Sequence, residues 1–169
     1  MDQSIINFAV YEDGKEYVGV ASATLPNLTA LTQSISGAGI AGNVEAVIIG
    51  HFDAMSLTLN FRTVSKQAIS LSEPRRHNID LRVAQQSENP TTARLEVDKV
   101  KHILVVVPKT DNGGSVAPAS PADASGEYAV HYWATYIDGK KVREIDPINF
   151  KCYINGKDYL AEVRSALGK

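Results

Sequence analysis

The chain has one cysteine, Cys152, among 169 residues, so no internal disulfide can staple it. No apolar run reaches the ~18–20 residues that a membrane-spanning helix needs. Charge of one sign is also missing. Seventeen Lys and Arg stand against 19 Asp and Glu, a net charge of -2, which excludes a strongly basic nucleic-acid or membrane-surface binder. The opening stretch MDQSIINFAVYEDG lacks the basic start and long apolar segment of a signal peptide. With the lone cysteine, that points to synthesis in a reducing cytoplasm.

Catalytic and metal-binding patterns are equally scarce. His51, His77, His102 and His131 are never three to five residues apart and have no cysteine at zinc spacing. His102 and His131 fall in strands that could pair and bring them together. There is no G-x-S-x-G elbow, and Cys152 has no neighbouring histidine in sequence. GAGIAG, from Gly37 to Gly42, fits G-x-G-x-x-G to the letter. The strand-like NVEAVIIG follows it where a phosphate-binding helix would be required. It reads instead as a loop whose backbone needs positive φ or close approach to another chain. Glu144 and Asp146 share a strand face, as an acid and base pair would. Lys140, Lys141 and Arg143 beside them favour ordinary ionised carboxylates. Arg75 and Arg76 form the densest basic cluster, too small for a phosphate track.

What is present is alternation. Leu57, Leu59 and Phe61 oppose Ser56, Thr58 and Asn60, and Ile79, Leu81 and Val83 repeat the pattern. YAVHYWATYI (128–137) is apolar on both faces, so a second layer or another subunit covers it. Within 94–107 the apolar phase switches from Leu95 and Val97 to Val100, Leu104 and Val106. A bulge, or a strand crossing between sheets, would produce that switch. Pro108 is expected to stop the ladder. The stretch 109–126, rich in Gly, Ser, Ala and Pro, reads as the flexible tip of a long hairpin. A short amphipathic helix is expected over 64–71 and another from Asp158 to Gly168. The expected fold is mainly β, one domain over 1–169, with a middle helix and a C-terminal helix.

The segment REIDPIN…YINGKDYLAEVRSALG resembles the C-terminal signature of the major tail tube proteins of contractile-tailed phages and R-type bacteriocins. Glu144, Ile145, Asp146, Pro147, Ile148 and Asn149 match its first element, Asn155 and Gly156 its turn, and Asp158 to Gly168 its final helix. NFAVYEDG (7–14), ATLPNLT (23–29) and GAGIAG match the family's N-terminal elements in the same order. The loop 109–126 matches nothing in the family.

The resemblance implies a β-sandwich or barrel-like subunit. Rings of six such subunits stack into a hollow tube, with strands joining a barrel shared between copies. It implies no catalysis, cofactor or metal. Its partners would be further copies, the tail sheath protein, the baseplate or initiator, tape-measure and tube terminator proteins, with DNA as transient cargo. The target membrane would be pierced by the tube and not bound by the subunit. The product would be a virion or phage-tail-like particle assembled in the bacterial cytoplasm. Leu25, Pro26, Gly37, Gly39, Ile40, Gly42, Ile145, Asp146, Pro147, Asn149, Asn155 and Gly156 are the residues expected to serve assembly. Two other readings remain at this point. One is a ring-forming tube protein of a type VI-like or extracellular injection system. The other is a monomeric β-sandwich binding carbohydrate through Tyr132, Trp133 and Tyr136.

Overall fold

The computed structural model describes every residue except Val18, and only the backbone of Tyr17. The strands in chain order are β1 (Asp2–Glu12), β2 (Lys15–Tyr17), β3 (Val20–Thr24), β4 (Ala30–Ile35), β5 (Val44–Phe52), β6 (Met55–Phe61), β7 (His77–Glu88), β8 (Leu95–Asn112), β9 (Ala124–Ile137), β10 (Lys140–Asp146), β11 (Lys151–Ile154) and β12 (Lys157–Asp158). The helices α1 (Lys66–Ser70) and α2 (Ala161–Ala166) are short.

One ten-stranded antiparallel sheet runs β12-β11-β10-β9-β8-β7-β1-β2, with β6 also paired to β9 and β3 paired to β6. It bends into two layers. The β8–β9 register slips between Val105 and Val106, at the level of His131, and again between Pro108 and Thr110. An extra residue in a ladder kinks the strand and sharpens its twist. Beyond the first of these bulges β9 takes β6 as its second partner, over Met55↔Val130 to Phe61↔Ala124. Leu57, Leu59 and Phe61 then meet Ile79, Leu81, Leu104 and Val106 in one core, closed by Trp133, Ile145 and Leu160. Ser56, Thr58 and Asn60 face away from it, as their alternation requires.

Two expectations are corrected. The phase switch in 94–107 is not a bulge, because β7 and β8 pair without a break from His77↔Val106 to Glu88↔Leu95. Val100 to Val106 alternate against the core, whereas Leu95 and Val97 lie beyond its edge and are exposed. Nor does Pro108 end the ladder. β7 stops opposite Val106, so Pro108 lies on a one-sided stretch where a missing N–H is tolerated. β8 thus runs on to Asn112 and the hairpin loop shrinks to 113–123.

Both helices form but are shorter than expected: α1 lies inside 64–71, and α2 begins at Ala161, with Asp158 in β12 rather than in the helix. Ser65 caps α1, its hydroxyl accepting from the Ala68 N–H. At the far end of α2, Gly168 N–H donates to Ser165 O and Lys169 N–H to Arg164 O, the paired closing bonds of a left-handed helix stop. Asp158 accepts from the Leu160 N–H and from Arg164, tying the entry of α2 to its body. Arg75 pairs with Glu73 and Glu12, and His77 bridges Glu12 and the Glu73 carbonyl. These bonds fasten the segment between α1 and β7 to the end of β1.

Candidate assembly surfaces

The strands leave edges without partners. Within the layer β3–β6–β9–β8, β3 pairs only with β6, and residues 107–112 of β8 pair only with β9. Both outer edges of this four-stranded layer are therefore bare among the described residues. In the other layer, β1 has β2 beside it only at Val10 to Glu12, so, among the described residues, residues 2–9 form a third bare edge. At the opposite end β12 covers β11, and the Tyr159 N–H donates to the Cys152 carbonyl. Unpaired edges recruit other strands unless they are blocked.

A second surface is the hairpin of β4 and β5, a two-stranded sheet of its own. Its register, Ile35↔Val44 through Thr32↔Val47, places the predicted loop Gly37, Gly39, Ile40 and Gly42 at its tip. The three glycines there have φ of 142°, 92° and 113°, which fits a loop requiring conformations that other residues resist. Leu31, Ile35, Val44, Val47, Ile48 and Ile49 are all exposed on this arm. A lone two-stranded hairpin is marginally stable in water, and one showing apolar groups on both faces is built to be covered.

The C-terminal signature forms the seat of the arm. Ile145 is fully buried in the core. Asp146 Oδ1 accepts the Asn149 N–H at 3.2 Å and Oδ2 accepts from Asn149 Nδ2 at 2.8 Å, which holds the turn through Pro147 and Ile148. Ile145, Pro147, Phe150 and Leu160 face Leu31, Gly50 and Phe52 across a cleft of about 180 Å³. At Gly50, φ is 66° and an added Cβ would sit 2.6 Å from Leu160, so only glycine lets the arm's base approach so closely. Asn155 and Gly156, with φ of 48° and 89°, make the two-residue turn between β11 and β12. That turn directs the chain back to Leu160.

The predicted residues therefore fall into separate groups. Gly37, Gly39, Ile40 and Gly42 are at the arm's tip. Ile145, Asp146, Pro147 and Asn149 are at its seat, with Asn155 and Gly156 behind them. Leu25 packs on the core and Pro26 is buried, fixing the exit from β3. The sequence led to strands shared between copies but not to the particular edges, because which strands lack neighbours follows only from the three-dimensional pairing.

The candidate chemical groups are held apart. His102 pairs with Thr135, not His131, and no metal-sized cluster occurs among the described residues. Trp133 Nε1–H donates to His102 Nδ1 at 3.2 Å, and Thr135 Oγ1 lies 3.1 Å from the same nitrogen. Burial, helped by the Arg143 charge, pushes the imidazole down to about 4. Glu144 accepts from Lys141 Nζ and the Tyr132 hydroxyl, each at 2.7 Å. Burial pushes its carboxyl up, but these bonds outweigh it and leave the group below its ordinary value. Asp146 is spent on Asn149, so the two carboxylates serve different partners. Burial also raises the Tyr132 phenol, with its bond to Glu144 adding to the effect. Trp133 points into the core while Tyr132 and Tyr136 lie on the other side of β9, so the three rings form no sugar-binding platform.

The fold has solved counterparts. A chain of the PVC sheath/tube terminator, from an extracellular contractile injection system in the extended state, aligns with a TM-score of 0.52 at 11% identity. The alignment covers 78% of this chain and 94% of that one. A chain of the PVC sheath-tube complex, also in the extended state, aligns with a TM-score of 0.48 at 13% identity, over 77% and 88%. No curated protein matches the sequence. The family model for phage tail tube protein FII matches residues 2–168, nearly the whole chain. The protein belongs to the phage tail tube protein FII family and is a structural subunit of a tail tube.

Proposed function

We propose that the subunit closes into a ring by edge-to-edge pairing of its four-stranded layer, β3 of one copy beside the 107–112 stretch of β8 in the next. The bare pair of edges carries this reading. Two different patches meeting head to tail form a ring when the rotation closes, and closure removes every edge of the barrel. The ring holds six copies in this reading, the number that the resemblance implies. The β4–β5 arm then reaches the adjacent ring and buries its apolar faces there, so that rings stack into a tube.

The tube works inside a contractile sheath, capped by a terminator and started from a baseplate, with a tape-measure protein setting its length. It conducts DNA or is itself driven through the target envelope, and the subunit performs no catalysis. Assembly takes place in the bacterial cytoplasm. Electron microscopy of the chain expressed with its neighbouring baseplate and sheath genes tests the reading. Hollow tubes of stacked rings are expected. Persistent monomers in the presence of the initiating components would overturn it.

A further inference from the structure

Lys101, Lys141, Arg143 and Arg164 are the basic residues partly withdrawn from solvent. All but Arg143 have a carboxylate. Lys101 lies 3.6 Å from Asp80, Lys141 2.7 Å from Glu144 and Arg164 2.6 Å from Asp158. Arg143 has no such partner among the described residues. Its guanidinium stacks 3.9 Å over the Trp133 ring, and Nη2 donates to Thr135 Oγ1 at 3.3 Å. Its Nε–H is buried without a hydrogen-bond partner. Burial holds the group below its ordinary value, the effect of taking a charge out of water. A charge withdrawn from water is normally paired, and here the subunit supplies no anion.

Arg143 stands where the core opens. It lies in one cross-strand row with Leu81, His102, Thr135 and Ile154. The next row is Phe8, Val83, Val100 and Ile137. Paired residues share a sheet face, so Arg143 and this apolar row look the same way. The row borders a cleft of about 570 Å³, whose lining includes Phe8, Val83, Val100, Glu16 and Gly139, and Ile137 is 41% exposed. The core face thus runs on into an open apolar cleft, with an unmatched cation beside it.

The β4–β5 arm carries the complementary charge. Glu45 is the only charged residue from Ala30 to Gly50, and it is exposed. It stands opposite Ser34 and shares a face of the arm with Val47. A neighbouring copy that covers this face buries Glu45 with it, and a buried carboxylate left unpaired opposes docking. We infer that Arg143 receives Glu45 from the arm of a copy in the adjacent ring, with the Val47 face of that arm against the Phe8–Val83–Val100–Ile137 row. This inference rests on burial of the arm between rings, and it fixes where the arm seats. A guanidinium offers a carboxylate parallel N–H donors in a rigid plane, so the pair sets the register of the arm as well as compensating both charges. Apolar contact alone is non-directional and would let the hairpin slide.

Zero-length cross-linking tests the pair. A carbodiimide joins a carboxylate to a lysine amine in contact with it. Arg143→Lys keeps the cation and supplies the amine, and tubes are assembled from this variant with the initiating components. Mass spectrometry should find Glu45 joined to residue 143 in tubes and not in unassembled subunits. Glu45 joined only to other lysines, or to none, would overturn the inference, as would the same link in unassembled subunits. Should Arg143→Lys not polymerise, a double-mutant cycle of Glu45→Gln and Arg143→Met decides. Each single change leaves one buried charge alone, so each should raise the subunit concentration needed for tube growth about tenfold or more. The double variant should raise it no further, because the two residues act as a pair. Effects that multiply, or a single variant that assembles like the unmodified chain, would overturn the inference; urea unfolding checks that each subunit folds. Tubes of normal length from Val47→Glu would instead remove the arm from stacking, which is a separate result.

Discussion

Asp146 holds Asn149 through both carboxylate oxygens, one on the backbone N–H and one on the side-chain amide. The Glu-Ile-Asp-Pro-Ile-Asn element is therefore a shaped turn. Its aspartate is a brace, and the exposed Ile148 is carried at its apex. Asp146→Ala removes both acceptors, and with them two hydrogen bonds from Asn149 to a charged carboxylate. It should cost about 1–3 kcal/mol, read as a lower urea midpoint with an unchanged slope. Stability equal to wild type would show that the turn holds without the brace.

The arm offers a separation of folding from assembly. Val47 and Ile49 are 62% and 64% exposed, so Val47→Glu and Ile49→Glu should change monomer stability by no more than about 0.5 kcal/mol. In an interface the same carboxylates would be buried unpaired, at a cost of several kcal/mol. Sedimentation should show folded subunits and no stacked tubes. Tubes of normal length would mean that the arm's apolar faces stay in solvent.

Gly39→Val tests the tip. A Cβ there meets nothing within 4 Å, but φ is 92°, a region that a β-branched residue adopts only with strain. Thermal unfolding should show a monomer that still folds cooperatively, with Tm lowered by that strain, while tube formation is lost. Normal polymerisation of this variant would remove the tip from the assembly mechanism.

A pH dependence follows from His102. Its ordinary value is 6.5, and burial, then the Arg143 charge, push it down to about 4 in the fold. Between those values the unfolded chain binds a proton that the folded chain refuses. Stability therefore falls as pH drops through that window and is unaffected by His102 above it. Glu144 and Asp158 are held below their ordinary values, so their contribution is lost in more acid solution. Comparing Tm of wild type and His102→Gln from pH 7 to about 4.5 isolates the histidine. The variant should have the shallower slope, and equal slopes would contradict the neutral, buried imidazole.

Much of this architecture was legible in the sequence, where alternation reports burial directly. Leu57, Leu59 and Phe61 go inward because a strand has period two, and the Asn155–Gly156 turn and the Gly168 stop follow from backbone preference. The family signature identified the tube. Features involving distant residues were not legible. Leu95 and Val97 look like core residues until the end of the core is located beneath them. Pro108 looks like a terminator until β7 is seen to have ended first. The arm was hardest to read, since Leu31, Ile35, Val44 and Ile48 have the composition of an interior. In the proposed tube their covering is another copy of the chain, which one sequence does not display.

The most direct test is a cryo-microscopy map of the assembled tube at a resolution that separates strands. Residues 20–24 of β3 should lie ~4.8 Å from residues 107–112 of β8 in the neighbouring subunit, giving one unbroken ladder around the bore. A ring in which those two edges face solvent, with subunits joined through other surfaces, would contradict the account.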